Sequence, residues 1–265
     1  MSYSEETDIL QHADDVRKMF ETLRAAGCQT DDLGLMLDIG GGAGIHSALI
    51  AEHARRIFCS DFRDQNARFG GEFVKLLLEK MQRHGLYFPI ERLEFHTGDA
   101  MRLFYRDGLF DTVVCFNAFE HIPEPSQALD EMLRVLRPGG YLYLTFDPIW
   151  TCDSGSHFYW RVPIPWEHLV SDDNAFAALM IGAGAGEDEV REYRVSMNRK
   201  RLKHYRELFD GIRDRVDILV EREWPGLSDE SNASHPNFAH LLGLGFSQDE
   251  LLCRGMAKVI RKRMP

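Results

Sequence analysis

The sequence predicts an α/β protein with a doubly wound, mostly parallel sheet. Short apolar runs alternate with amphipathic segments between residues 35 and 146, a glycine-rich loop follows the first run, and acidic residues follow later ones. Strands that alternate with helices pair in parallel through right-handed crossovers. The chain has 265 residues and neither an internal repeat nor a low-complexity linker. We therefore expect a single domain with insertions.

The acidic composition disfavours some classes of binding partner. The chain has 31 Lys and Arg against 42 Asp and Glu, a formal net charge of −11. This excess of acid disfavours binding to nucleic acid or to an anionic membrane through bulk charge. The acidic N-terminus lacks the pattern of a signal peptide, so we expect a cytoplasmic protein. The five cysteines form no C-x-x-C pair, which predicts reduced thiols.

The first predicted element is an amphipathic helix near the N-terminus. Ile9, Ala13, Val16, Phe20 and Leu23 recur at helical spacing and form one apolar stripe. This helix either packs on the sheet or closes over a ligand as a lid.

The alternating part of the chain follows. Five strands are predicted at 35–39, 56–60, 93–97, 112–116 and 141–146. Helices are predicted at 45–55, 65–83 and 126–136, and the second should turn Phe69, Phe73, Leu76 and Leu77 inward. Beyond residue 146 the alternation ends, with a helix predicted at 195–210 and strands at 217–220 and 253–260.

The loop after the first strand carries the strongest signal. It places Asp38 before glycines at positions 40, 41, 42 and 44. Such a loop can hold a phosphate, a dinucleotide or an aminoacyl nucleoside. The dinucleotide fingerprint requires glycine where Ile45 stands, and a P-loop requires a lysine that is absent. An acid at the start of the loop would repel a pyrophosphate and favours a ligand with an ammonium or sulfonium group.

Acidic residues also follow the second and third strands. Asp61 lies 23 residues after Asp38, where a carboxylate accepts hydrogen bonds from ribose hydroxyls; Asp64 is the rival for this role. Phe62 is expected in the same site. Gly98-Asp99-Ala100 follows the third strand, where the carboxylate suits an adenine amine or caps a helix.

The exit of the fourth strand brings further polar residues to this edge. Asn117 stands at the strand end, and Glu120 and His121 follow one turn later. The pair either takes part in catalysis or fixes the loop by hydrogen bonds.

In their order and spacing, these segments resemble the class I S-adenosylmethionine-dependent methyltransferases, in particular the methyltransferase type 11 group of small-molecule enzymes. The matching pieces are Asp38 to Gly44, Asp61, Gly98 to Ala100, Phe110 to Ile122, and Leu136 to Gly140. One departure is Gly41, where many members carry Cys.

The resemblance implies a Rossmann-like sheet of seven strands with the last antiparallel, the sixth at 217–223 and the seventh at 253–261. It implies S-adenosyl-L-methionine as the cofactor and S-adenosyl-L-homocysteine as the product. Gly40 and Gly42 would contact the amino-acid part, Asp61 the ribose, Asp99 the adenine, and Asn117 the region near the methyl group. The full predicted cofactor set is Asp38, Gly40, Gly41, Gly42, Gly44, Asp61, Phe62, Gly98, Asp99, Ala100 and Asn117.

The segment after the fifth strand is the predicted acceptor site. Three of the four tryptophans fall within 17 residues there, and aromatic rings give a sugar or ring system a flat wall. The predicted acceptor-binding residues are Trp150, Tyr159, Trp160, Trp166 and His168. His157 is the first candidate for a general base and His121 the second, because imidazole suits proton removal from a hydroxyl. The spacing of Cys152, Asp153, His157 and His168 matches no zinc pattern, so no metal is predicted.

The sequence therefore predicts a methyltransferase acting on a small molecule of sugar, glycan or natural-product type, at oxygen. Its predicted parts are a cover helix (1–30), a cofactor-binding core (35–146), an acceptor-binding insertion (147–212) and C-terminal strands with an insertion (213–265). N- and C-methylation stay open, as do a nicotinamide oxidoreductase, a non-catalytic cofactor-binding partner subunit, and a homodimer.

Overall fold

A computed structural model describes residues 4–264. They form a seven-stranded sheet in the order β3-β2-β1-β4-β5-β7-β6. The strands are β1 (Leu35–Ile39), β2 (Arg56–Asp61), β3 (Leu93–Thr97), β4 (Phe110–Phe116), β5 (Leu136–Phe146), β6 (Val216–Pro225) and β7 (Cys253–Lys262). The first five strands pair in parallel, and β7 runs antiparallel to both β5 and β6. The predicted fold class is confirmed.

Two apolar clusters cover the two faces of the sheet. Neighbouring residues of a strand belong to different clusters, because alternate side chains point to opposite faces. Leu37 of β1 belongs to one apolar cluster with the helices at 125–135 and 202–210. Its neighbour Met36 belongs to the other, with the helices at 5–25 and 45–50. Val113 and Val114 of β4 divide in the same way. Central strands that are buried on both faces explain why these runs are continuously apolar.

The helices match most of the predicted segments. They are α1 (Glu5–Ala25), α2 (Ile45–Ile50), α3 (Gln65–Arg68), α4 (Phe73–Arg83), α5 (Pro125–Val135), α6 (Glu167–Val170), α7 (Asp173–Gly182), α8 (Glu187–Val195), α9 (Leu202–Asp210), α10 (Pro236–Gly243) and α11 (Gln248–Leu252). The stripe of α1 is buried as predicted, and Ser4 caps the helix by accepting from the Thr7 amide. Within residues 4–264, no helix is long and apolar enough to cross a membrane.

Two of the predicted helices are interrupted. The segment 65–83 breaks into α3 and α4 at Gly70 and Gly71, which both adopt positive φ, so it is not one helix. Phe69 and Leu76 are 39% and 41% exposed, contrary to the expectation that they turn inward, whereas Phe73 and Leu77 are buried as expected. The segment 195–210 is likewise not one helix, because residues 196–201 lie between α8 and α9 without helical structure.

The C-terminal strands are longer than predicted. β6 extends to residue 225 and β7 to residue 262, and the stretch between them holds α10 and α11. All five cysteines are free and buried, as expected of reduced thiols.

Candidate functional site

The glycine loop after β1 lies at the carboxyl edge of the parallel strands, where open α/β sheets bind ligands. The amides of Gly40 and Gly41 donate to the Ser60 carbonyl of β2, at 2.8 and 3.2 Å. Gly40 has a φ of 72°, and a Cβ there would lie 2.3 Å from the Cβ of Ala118, just beyond β4. The loop therefore needs glycine at position 40 for both its backbone conformation and its close approach to the exit of β4.

Asp61 closes the loop from the end of β2. Its Oδ2 accepts from the Gly42 amide at 3.0 Å, and its Oδ1 accepts from the Arg63 amide at 2.8 Å. A Cβ on Gly42 would meet only the Gly40 carbonyl oxygen, at 3.9 Å, so the space beside the loop is open. Phe62 adds a ring that is 78% exposed beside Asp61. This surface combines a fixed acid with an apolar ring.

Asp38 is buried beneath the loop. Its Oδ2 accepts from the Ser47 hydroxyl at 2.7 Å, whereas its Oδ1 has no hydrogen-bond partner among residues 4–264. Burial, with a smaller contribution from the nearby Asp61 carboxylate, raises the pKa of Asp38 to about 6. One of the two carboxyl oxygens of Asp38 lacks a hydrogen bond, and ionisation of the buried group is unfavourable. A ligand that carries a positive charge or a hydrogen-bond donor would stabilise it.

The departure at Gly41 has a steric explanation. A Cβ at this position would lie 2.3 Å from the Sγ of Cys59 and 2.9 Å from Oδ2 of Asp38. Cys59 of β2 therefore fills the space into which a side chain at position 41 would project.

The predicted residues of β3 and β4 lie at the same edge of the sheet. Oδ1 of Asp99 accepts from the Met101 amide at 2.8 Å, and Gly98 donates to the carbonyl of Asp61 at 2.9 Å. Ala100 is half-buried next to them. Asn117 adopts a left-handed conformation with a φ of 45°, which turns the chain out of β4.

Asp15 of α1 belongs to this site, although sequence reasoning missed it. Its Oδ2 lies 3.5 Å from Nδ2 of Asn117 and 3.3 Å from Nε2 of His46. The first helix thus packs on the sheet and also reaches the carboxyl edge of the parallel strands. The sequence did contain a signal for this role of Asp15, because it is an acidic residue directly before Val16 of the apolar stripe.

The residues at this edge fit an aminoacyl nucleoside with a cationic centre. Asp61 offers carboxylate lone pairs beside an exposed ring, and Asp38 offers an oxygen without a partner. Open space beside Gly42 allows a ligand to approach the backbone closely.

A second group of polar side chains follows β4. Single ligand-type atoms of Glu120, His121 and His157 all lie within 4.8 Å of one another. The rings of His121 and His157 meet edge to face with their centroids 4.9 Å apart. The structure thus brings together both candidate bases, from segments 36 residues apart.

Backbone carbonyls fix the tautomers of both histidines. Nδ1–H of His121 donates to the Ser196 carbonyl at 2.7 Å, and Nε2–H of His157 donates to the Pro148 carbonyl at 3.0 Å. The other ring nitrogen of each carries a lone pair. Burial lowers the pKa of both imidazoles, that of His157 to about 4 with a contribution from His121. Both rings are therefore neutral at pH 7.

Glu120 does not fix its loop through its side chain. The carboxyl group is 1% exposed, and neither oxygen has a hydrogen-bond partner among residues 4–264. Burial raises the pKa of Glu120 to about 8. The His121 ring, by contrast, ties this turn to the Ser196 carbonyl, as the loop-fixing alternative requires.

Asn198 holds this turn instead, and the sequence carried no signal for it. Its amide donates to the Glu120 carbonyl at 2.9 Å, and its Nδ2 donates to the carbonyls of Phe119 and Ile122 at 3.1 and 2.9 Å. The predicted helix over 195–210 concealed this role, since Asn198 lies in the break between α8 and α9.

The predicted acceptor residues divide by exposure. Trp150 and His168 are buried together, with Nε2–H of His168 donating to the Trp150 carbonyl at 2.8 Å. Trp166 is fully buried in a separate cluster, so no face of its ring is open to a ligand. Trp160 is 62% exposed, and half-buried Tyr159 accepts from Nδ2 of Asn232 at 3.2 Å. The three tryptophans do not form one wall.

Comparison with known proteins identifies the core of the chain. A family model described as a methyltransferase domain matches residues 37–144. An uncharacterised methyltransferase of Mycobacterium sp. (strain JLS) is 29% identical over 146 residues, 55% of this chain and 51% of that protein. A demethylmenaquinone methyltransferase of Deinococcus radiodurans is 32% identical over 109 residues, 41% of each chain. The alignments thus span about half or less of these curated relatives.

A solved structure shares the fold over most of the chain. A Galdieria sulphuraria protein, provisionally assigned as a sarcosine dimethylglycine methyltransferase, superposes with a TM-score of 0.56 at 16% identity, covering 94% of this chain and 86% of that one. The sheet order, the glycine loop and the matched family model agree. Residues 37–144 thus match a methyltransferase domain, in agreement with the predicted resemblance to the class I S-adenosylmethionine-dependent methyltransferases.

Proposed function

We propose that this protein transfers a methyl group from S-adenosyl-L-methionine to a hydroxyl of a small molecule of sugar, glycan or natural-product type, releasing S-adenosyl-L-homocysteine. The observation that carries the choice of oxygen is the pair His121 and His157. Each ring keeps one nitrogen free to accept a proton while its other nitrogen is bound to a backbone carbonyl. A hydroxyl needs such a proton acceptor more than an amine does.

The proposed cofactor residues act by binding and orientation. The bound cofactor supplies an already activated methyl group on a sulfonium. Asp61 would accept from the ribose hydroxyls while it keeps the Gly42 amide, and Asp38 would face the cationic amino-acid part. Asp99 would accept from the adenine amine, and Asn117 would border the methyl group. These residues would hold the methyl donor in one position. The rate would then depend on how well the acceptor hydroxyl is aligned with the methyl group.

The proposed acceptor residues lie in the segment after β5. His157 is the first candidate for the base, and His121, whose side chain is 38% exposed, is the second. Both are neutral at pH 7, so a lone pair is available without prior deprotonation. Trp160 and Tyr159 are the candidates for contacts with a ring of the acceptor. Trp150, Trp166 and His168 would support them from within the protein.

The remaining assignments are part of the same proposal. The segments 1–30, 35–146, 147–212 and 213–265 would serve as cover, cofactor core, acceptor insertion and C-terminal strands. A cytoplasmic location and a homodimer stay predictions. N- and C-methylation are the alternatives within the family.

A screen of hydroxyl, amine and carbon acceptors for S-adenosyl-L-homocysteine production tests the function. Turnover with a hydroxyl acceptor, and its loss by at least tenfold in His157→Ala with unchanged cofactor affinity, is the expected result. His240→Ala is the matched control, because His240 is exposed on α10 and outside the cluster. Full turnover in His157→Ala would refute the base assignment, and turnover with amines alone would refute O-methylation.

A further inference from the structure

We propose that Glu120, His121 and His157 bind a divalent transition-metal cation of the Zn²⁺ and Co²⁺ class. The three side chains already present one ligand-type atom each within 4.8 Å of the others. Two imidazoles with one carboxylate are a donor set that suits such cations. No zinc spacing in the sequence indicated it, because the donors come from two separate segments.

The hydrogen bonds of the histidines match those of metal ligands. A ligating imidazole usually donates its other N–H to a carbonyl or carboxylate, which fixes its tautomer and orientation. His121 does this with the Ser196 carbonyl, and His157 does so with the Pro148 carbonyl. The nitrogens that remain, Nε2 of His121 and Nδ1 of His157, are then the donor atoms.

Glu120 supplies the independent observation. A buried carboxyl group with no hydrogen-bond partner for either oxygen is unusual, because leaving such a polar group unpaired in the interior is costly. Its Oε1 lies 4.0 Å from Nε2 of His121, too far for a hydrogen bond and near enough for both atoms to share one ion. A bound cation would satisfy this carboxylate.

The backbone around the cluster is held in place. His157 adopts a left-handed φ of 63°, a conformation that requires support from its surroundings. The turn that carries Glu120 is clamped by Asn198 through three hydrogen bonds, and Tyr205 donates to Oδ1 of Asn198 at 2.8 Å. Around a common tetrahedral ion the donor atoms would lie roughly 3.4 Å from one another.

Three protein ligands leave at least one coordination position open. His121 is 38% exposed, so an ion bound here would be reachable from solvent. The inference concerns cation binding alone: with a cation bound, the two imidazoles are ligands, so the role of proton acceptor proposed above belongs to the cation-free protein. The binding itself does not depend on which acceptor is methylated.

Calorimetric titration of the untagged full-length protein with Zn²⁺ at pH 7.5 tests the inference. We expect one strong site per chain, with affinity reduced at least tenfold in Glu120→Gln and in His157→Gln. His240→Gln is the matched control and should retain the wild-type affinity. Titration with Co²⁺ should give visible absorption bands of a site containing imidazole, and these bands should be lost in His157→Gln. Thermal unfolding of each variant in EDTA shows that it is folded.

Absence of a strong site, or equal Zn²⁺ affinity in wild type, Glu120→Gln and His157→Gln, would overturn the inference. The two proposals fail separately. Hydroxyl methylation that persists in EDTA, without a Zn²⁺ site, removes the cation and leaves the proposed function standing. A Zn²⁺ site in a protein that methylates only amines supports the inference and removes the O-methylation.

Discussion

The Gly42 amide donates to Oδ2 of Asp61 at 3.0 Å, and this bond ties the glycine loop after β1 to the end of β2. The bond sets the position of an acid beside a loop that a ligand can approach closely. Because Oδ1 of Asp61 is held by the Arg63 amide, the carboxylate cannot rotate freely. It is thus oriented before any nucleoside binds, which reduces the entropy lost on binding.

Replacing Asp61 by Ala should weaken binding of S-adenosyl-L-homocysteine by about tenfold to a hundredfold, the effect of losing one or two hydrogen bonds to a charged group. Isothermal titration calorimetry measures this directly. Asp64→Ala is the matched control, since Asp64 caps α3 by accepting from the Ala67 amide. Unchanged affinity in Asp61→Ala, or an equal loss in Asp64→Ala, would remove Asp61 from the ribose role.

Substitution of Gly40 by Ala should destabilise the protein more than the same change at Gly27. Both glycines have nearly the same φ, 72° and 73°, so the backbone strain is matched at about 1 kcal/mol. A Cβ at Gly27 meets nothing within 4 Å, whereas one at Gly40 collides with Ala118. Overpacking should add about 1–3 kcal/mol at Gly40. Urea unfolding of the two variants measures the difference, and equal losses would contradict the prediction.

The sheet could be predicted from sequence because its strands are buried on both faces. Continuous apolar runs such as 35–39 and 112–116 therefore mark the strands directly. The long helix over 65–83 was wrong because helical periodicity outweighed the two glycines, whose positive φ breaks the segment at residues 70 and 71. The spacing of apolar residues indicates which side chains are buried. It does not indicate the backbone conformation at a pair of glycines.

The grouping of polar residues at the carboxyl edge of the sheet was more predictable than the arrangement after β5. Asp38, Asp61 and Asn117 each stand at the end of a strand, so the parallel order alone brings them together. Asn198 acts on the turn at Glu120 from 78 residues away, through an irregular segment that has no periodic pattern. Contacts of this kind depend on tertiary structure that no local signal records.

Asp38 should make stability depend on pH. Its pKa is about 6 in the folded protein against an ordinary value of 3.8, so the folded state holds the proton more tightly than the unfolded state. The contribution of Asp38 to stability is therefore greatest below pH 4 and falls by about 3 kcal/mol as the pH rises through 6. Asp38→Asn keeps an acceptor for Ser47 and removes this fall.

Urea unfolding at several pH values between 4 and 8 checks the Asp38 prediction. The unliganded Asn variant should gain stability relative to wild type as the pH rises from 4 to 6 and keep the gain above pH 6. Its affinity for S-adenosyl-L-homocysteine should fall, because the carboxylate is lost. A difference in stability that is the same at every pH would contradict the raised pKa of Asp38.

Substitution of Trp160 and of Trp166 should distinguish a role in acceptor binding from a role in packing. Trp166 is fully buried against Phe238, Leu241 and Leu251, so Trp166→Ala should cost about 3–5 kcal/mol of unfolding free energy. Trp160 is 62% exposed, with the Arg161 guanidinium 4.3 Å from its ring centroid, so Trp160→Ala should cost less than about 1 kcal/mol. Once an acceptor is in hand, Trp160→Ala should raise its KM severalfold while leaving cofactor affinity unchanged. An unchanged KM would show that the exposed ring does not contact the acceptor, and a large loss of stability would show that it packs instead.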